Sequence, residues 1–270
     1  MKWKIEFLKL LLSGQTDQAF LLKGGHVPPV LYRYRSFSEH NLKNLATGHE
    51  WISLPADFND VFDGCVTNVK RDIYTALRKS AGDGKFGDPE LVVEMLIEAF
   101  HIDGVAEVMI NQVNKNLRAK DVHICCFSER VDSSVMWAHY GKNHTGYCVS
   151  YDFTVPADAK NMFPVYYDFI SSSSIDPKLG AEPASDHYPL LFKDKDWGYE
   201  REWRLIHYDL LQLNADSQLL KMPPVVAIFA GALCTTEQLA VLRTQAETLD
   251  VPLHLMKIDY IKRKLFYEPV

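Results

Sequence analysis

No run of residues in this 270-residue chain approaches the ~20 apolar residues of a membrane-spanning helix, so no membrane partner is expected. Cysteine is scarce and unpaired. The five cysteines (Cys65, Cys125, Cys126, Cys148 and Cys234) are odd in number and have neither zinc-knuckle nor thioredoxin spacing. They read as buried thiols, and adjacent Cys125 and Cys126 would point to opposite faces of a strand. Positive charge is short as well: 29 Lys and Arg against 35 Asp and Glu give a net charge of -6, which argues against a broad nucleic-acid surface.

Several catalytic signatures are also missing. There is no His-Glu-x-x-His, and His123, His139 and His144 stand at no zinc spacing, so no metal is expected. Asp60, Asp63, Glu200 and Glu202 are carboxylates of the kind a magnesium-dependent phosphoester hydrolase uses, without nuclease spacing. Ser128 lacks a Gly-x-Ser-x-Gly elbow. Cys126 with His139 could form a nucleophile and base, although a buried thiol and a hydrogen-bonded histidine account for them more simply. Gly82 and Gly84 follow no strand and cradle no phosphate.

What is present is a chain of mixed periodicity. Lys2 and Lys4 ahead of Phe7–Leu12 imitate a leader, but Glu6 and Lys9 interrupt the run and no small-residue cleavage site follows. Trp3, Phe7, Leu10 and Leu11 share a helix face instead, and a cytoplasmic protein is expected. Residues 1–27 form a helical appendage bounded by Gly24-Gly25 and Pro28-Pro29. Residues 28–270 form one α+β domain with a mixed central β-sheet and a helical insertion at about 66–120. Strands are expected at 31–36, 51–53, 123–128, 146–152, 165–169, 225–229 and 253–259, and short helices at 39–45 and 134–140. A polar connection, expected to be mobile, begins at 171–174 and runs to about Tyr188. Thr235 with Gln238 opens a capped helix to Leu249, so residues 225–259 read as a strand–helix–strand crossover.

The stretch Trp197-Gly-Tyr-Glu-Arg-Glu-Trp-Arg-Leu-Ile-His207 stands out. Read at period two, it puts Glu200, Glu202, Arg204 and Ile206 on one face, with Trp203 on the other as a core aromatic. Burying such charges costs several kcal/mol unless they are paired, so that face is expected to look into a polar cleft. Four further segments mix polar, aromatic and charged residues: Tyr32–Ser36, Ser53–Asp63 with Asn59 and Asp60, Phe127–Glu129, and Met136–Gly146. A dinucleotide held without a glycine loop needs cations, aromatic faces and a carboxylate. Arg33 or Arg35, Tyr32 or Tyr140, Trp137, Ser128 and Glu202 would supply them.

Four motifs resemble an uncharacterised bacterial family, the domain-of-unknown-function 2971 family. They are Leu31-Tyr-Arg-Tyr-Arg-Ser36, Phe58-Asn-Asp-Val-Phe-Asp63, Cys126-Phe-Ser-Glu129 with Met136-Trp-Ala-His-Tyr140 and His144-x-Gly146, and Trp197–Arg204. Val61 stands where that family usually shows proline. A looser resemblance is to the Arg–Ser–Glu arrangement of ADP-ribosyltransferases, without their Ser-Thr-Ser form. It implies NAD as substrate, held by Arg33 or Arg35 and by Ser128 or Ser53, with His139 and Tyr140 beside it. Glu202 would be the catalytic carboxylate and Glu200 would orient the acceptor. The implied partners are a nucleotide and a macromolecular acceptor, and the implied role is that of a toxin or phage-defence effector. The alternatives are a non-catalytic nucleotide or small-ligand binding module and, third, the metal-dependent hydrolase.

Overall fold

A computed structural model describes residues 2–60, 62–63, 122–167, 190–207 and 218–270, with isolated positions between 91 and 115. The expected polar connection from 171 to about 188, and all but isolated positions of the expected helical insertion, lie outside the described residues. The chain opens with two helices, α1 (Lys2–Leu12) and α2 (Thr16–Gly24). Helical spacing brings Phe7, Leu8 and Leu11 onto one face, where they pack with Ile124, Phe163 and Ile206. Trp3 stacks on Trp203 at 6.0 Å and on His26 at 4.3 Å. The buried Lys23 donates to the Lys160 carbonyl and lies 4.5 and 4.2 Å over the Phe20 and Phe163 rings.

In chain order there follow β1 (Val30–Arg35), α3 (Glu39–Thr47), β2 (His49–Trp51), β3 (His123–Ser128), α4 (Ser134–His139), β4 (Tyr147–Asp152), α5 (Pro156–Ala159), β5 (Met162–Pro164), β6 (Glu202–His207), β7 (Leu219–Lys221), β8 (Val225–Ala230), α6 (Thr236–Leu249), β9 (Leu253–Asp259) and β10 (Lys264–Pro269). Eight strands make one mixed sheet in the order β10-β9-β8-β4-β1-β3-β6-β5, and β2 pairs with β7 separately. This is the expected α+β architecture. β8 and β9 are parallel and joined through α6, whose capping box is formed by Thr235 and Gln238.

Alternation along the strands sorts the side chains. One sheet face carries Leu31, Cys125, Phe127, Val149, Tyr151, Trp203 and Leu205 into the largest core, closed by Leu45 of α3 and by Leu242 and Ala246 of α6. The opposite face carries two apolar clusters. α1 and α2 cover Ile124, Phe163 and Ile206; Met136 and Trp137 of α4 cover Tyr34, Cys148 and Phe229. The residues that share this face between them are Cys126, Ser128, Glu202 and Arg204.

Two departures from the sequence expectation shape that polar strip. Of the strand expected at 165–169, positions 168–169 lie outside the described residues; β5 covers 162–164, Val165 N–H still donates to the Glu202 carbonyl at 3.0 Å, and Tyr166 forms an isolated bridge to Phe192. β6 begins at Glu202, not before: Glu200 ends a 3-10 turn (Lys195–Glu200), and Arg201 has φ of 45°. The period-two alternation therefore holds only from Glu202 onward.

β1 and β3 pair only at Tyr32 and Ser128 and then part. Ser53 takes the place of β1 against β3, exchanging hydrogen bonds of 2.9 and 2.8 Å with Ile124. Arg33 Nη1 supplies the Cys126 carbonyl at 2.8 Å. The split opens a cavity in the sheet.

Candidate functional site

β6 delivers Glu202 and Arg204 to the polar strip, and β3 delivers Cys126 and Ser128 beside them. Arg204 is completely buried and paired on two sides. It grips Asp63 in a bidentate pair at 2.8 and 2.7 Å, and its Nε donates to Glu202 Oε1 at 2.8 Å. Lys193 completes the cluster, with its Nζ 2.7 Å from Glu200 Oε2, 3.4 Å from Glu202 Oε2 and 3.6 Å from Asp63 Oδ2. Three acids thus face two cations in a buried setting, where an unpaired charge would cost several kcal/mol.

The left-handed Arg201 turns the chain so that Glu200 and Glu202 reach the same ammonium from different backbone elements. Glu200 is fixed closely. Its carbonyl accepts Ser128 Oγ at 2.6 Å, and its Oε1 accepts the Tyr140 hydroxyl at 2.6 Å. Asn59 Nδ2 donates in turn to the Tyr140 oxygen at 3.1 Å.

The two carboxyls titrate oppositely. Burial, and then the neighbouring Glu202 charge, push Glu200 up to about 7, against Lys193 and Tyr140, which favour its charged form. For Glu202, burial acts upward too, but Arg204 and Lys193 outweigh it and hold the carboxyl well below its usual range. Burial lowers Lys193, yet the Glu202, Glu200 and Asp63 charges keep its ammonium raised above the ordinary lysine range.

The other expected residues separate. Arg33 and Arg35 both pair with Glu50: Arg33 Nε at 3.1 Å, and Arg35 through Nη2. Tyr151 donates to the other Glu50 oxygen at 2.6 Å. Both arginines are therefore committed on the side of the sheet away from Glu202, although both border the cavity. Trp137 cannot stack on a ligand. It is fully buried, donates to the Val131 carbonyl at 2.7 Å and meets Tyr34 edge-on at 5.1 Å. Trp203 is a core aromatic, as expected.

Asp60 folds its own loop, accepting the Phe62 N–H at 2.9 Å, and is not among the residues lining the cavity. Cys126 is a poor nucleophile because burial and Glu202 push its thiol well up, while His139 sits at the exposed rim, 3.5 Å from the Tyr199 hydroxyl.

The cavity measures about 270 Å³ and reaches Tyr32, Ser53, Asn59, Ser128, Tyr140, Glu200 and Glu202. A neighbouring groove of about 360 Å³, lined by Asn41, His139 and Lys142, shares Tyr34, Arg35 and Tyr140 with it. Lys142, Asn143 and His144 turn beside this groove with φ of 47°, 53° and 66°. Gly146 follows because a Cβ there would run into the Arg35 carbonyl.

Residues 136–205 match the family described as Protein of unknown function (DUF2971). That bears out the resemblance over its last motifs, Met136–Gly146 and Trp197–Arg204. No curated protein and no solved structure matches the chain. The matched segment holds Tyr140, Lys193, Glu200, Glu202 and Arg204, and so supplies most of the charge cluster. Asp63, Ser128 and the arginine strand lie outside it. Sequence reasoning missed Lys193 and Glu50 as partners. Lys193 follows the apolar run Leu190-Leu191-Phe192 and opens the charged run Lys193-Asp-Lys-Asp196, which reads as a solvated turn.

Proposed function

We propose that this chain is an ADP-ribosyltransferase-like enzyme with NAD as its substrate, and that Glu200 is the carboxyl at the reacting bond. The observation that carries the reading is the divergence of Glu200 and Glu202. Both line the cavity, but Glu202 takes Arg204 on both oxygens and is held ionised, whereas Glu200 is bonded by Tyr140 and Lys193 and is pushed up to about 7.

When the bond between ribose and nicotinamide breaks, positive charge develops on the sugar and nicotinamide leaves as a neutral base. A fixed carboxylate in a dry wall stabilises that charge without reorganisation. The acceptor's nucleophile then bonds to the ribose carbon and loses its proton. The choice moves from Glu202, favoured by motif analogy, to Glu200. The cavity suits a ring and its ribose, and the adjoining groove with Lys142 suits the anionic remainder.

A second reading, a non-catalytic nucleotide-binding module, is favoured by the mutual pairing of all five charged groups, as in a fixed scaffold. NAD would then raise the melting temperature without release of nicotinamide. The metal-dependent hydrolase is not carried forward: among the described residues no three His, Cys, Asp or Glu side chains group to hold an ion, and the carboxylates wrap Lys193 and Arg204. The enzyme reading is tested by nicotinamide release from NAD. Above pH 7, Glu200→Gln should lower the rate at least ~100-fold with the far-UV circular dichroism unchanged. Absence of both NAD binding and turnover in the wild type would reject it.

A further inference from the structure

β10 ends the eight-stranded sheet, and among the described residues nothing pairs with its outer edge. The hydrogen-bond phase of that edge is fixed. Val270 N–H donates to the Leu253 carbonyl at 3.0 Å, and Lys264, Phe266 and Glu268 share its parity against β9. Leu265 and Tyr267 therefore aim their N–H and C=O groups outward, while Pro269 closes the edge at one end because it has no N–H. The edge is held in shape. Leu265 is buried, and Tyr267 packs 5.0 Å from both Phe229 and His254. Asp259 Oδ1 accepts the N–H groups of Ile261 at 3.0 Å and Lys262 at 2.8 Å, which sets the hairpin turn.

Exposed edges of this kind are usually blunted. Here Lys264, Phe266 and Glu268 are exposed along one face of the strand, Phe266 by 41%. Neither Lys264 nor Glu268 has an ion-pair partner among the described residues.

We propose that two copies of this chain join through β10, antiparallel about a two-fold axis at Phe266. This register places Leu265 opposite the partner's Tyr267 and, by symmetry, Tyr267 opposite the partner's Leu265. All four residues then exchange their outward N–H and C=O groups in hydrogen-bonded pairs. It also sets Lys264 against the partner's Glu268, and Glu268 against the partner's Lys264, flanking the two Phe266 rings on the axis. One register satisfies the hydrogen-bond phase and the charges together, and this self-complementarity marks a second copy as the occupant. The two eight-stranded sheets become one continuous sheet. The inference is independent of the reaction assigned to Glu200.

The test is the mass of the 270-residue chain in solution by light scattering and sedimentation, over a micromolar concentration range. The wild type should show twice the mass of a single chain, and the Leu265 and Tyr267 amides should gain hydrogen-exchange protection as concentration rises. Lys264→Glu and Glu268→Lys each put like charges opposite one another twice, and should weaken association roughly tenfold or more while the far-UV circular dichroism stays unchanged. The double variant Lys264→Glu/Glu268→Lys should restore the dimer. A single-chain mass across the range overturns the proposal, as does indifference to the single reversals. Failure of the double reversal to restore pairing overturns the register, and capture of a peptide strand by a single-chain wild type assigns the edge to another partner.

Discussion

Two glutamates separated by one residue do opposite things. Glu202 is held ionised by Arg204 and Lys193, while Glu200 shares Lys193 and titrates near 7. The folded value of Glu200 lies above its ordinary 4.5. Between those values the folded state keeps a proton that the unfolded chain has lost, so stability falls as pH rises through that window. Glu200→Gln should remove the slope, worth at most roughly 3 kcal/mol, in urea unfolding followed from pH 4.5 to 7.5. Arg204→Ala leaves Asp63 and Glu202 buried without their guanidinium and should cost about 3–5 kcal/mol by the same assay.

Much of this residue-scale logic was legible. The pattern Glu200, Glu202, Arg204 marked a buried polar face because charges on a strand demand partners. Lys193 and Glu50 were not legible, because neither the charged run at 193–196 nor a single glutamate between His49 and Trp51 has a spacing from which to infer a long-range partner. Arg33 and Arg35 looked like ligand cations for the same reason: their acceptor, Glu50, is fixed by tertiary pairing alone.

At the scale of elements, the site exists because regular structure is broken in three places. β1 leaves β3 after one pair, Arg201 ends a 3-10 turn in the left-handed region, and residues 142–144 turn left-handed above Gly146. Gly146→Ala pushes a methyl group into the Arg35 carbonyl. It should lower stability by about 1–3 kcal/mol and displace the turn that follows Tyr140, which thermal melts and loss of ligand affinity would register. The helix and strand periods were readable for β1, β3, β4 and α6, whose alternation or capping box is local. The 3-10 turn before β6 was not, because a left-handed arginine leaves no mark in a period-two pattern. Of the strand expected at 165–169, the described part changes partner, from the Glu202 carbonyl at Val165 to Phe192 at Tyr166, a switch that no local pattern marks.

Across the whole molecule, two apolar clusters on one sheet face enclose the charged strip, and the N-terminal helices form one of them. Lys23 is part of that packing. Burial, then the Lys160 charge, lower its pKa from 10.5 to about 7. Between those values the unfolded chain holds the proton and the folded chain does not, so this residue makes stability climb as pH rises from 7 toward 10.5. Lys23→Met should flatten that rise in denaturant melts at pH 7 and 9.5.

The central claim, that Glu200 is the reacting carboxyl of an NAD-consuming cavity, is tested most directly by nicotinamide release as a function of pH. The wild type should release nicotinamide at a rate that rises as Glu200 ionises near pH 7, and Glu200→Gln should show no such rise, running at least ~100-fold slower above pH 7 with an unchanged fold. Equal rates in wild type and Glu200→Gln, or no release by either, would contradict it.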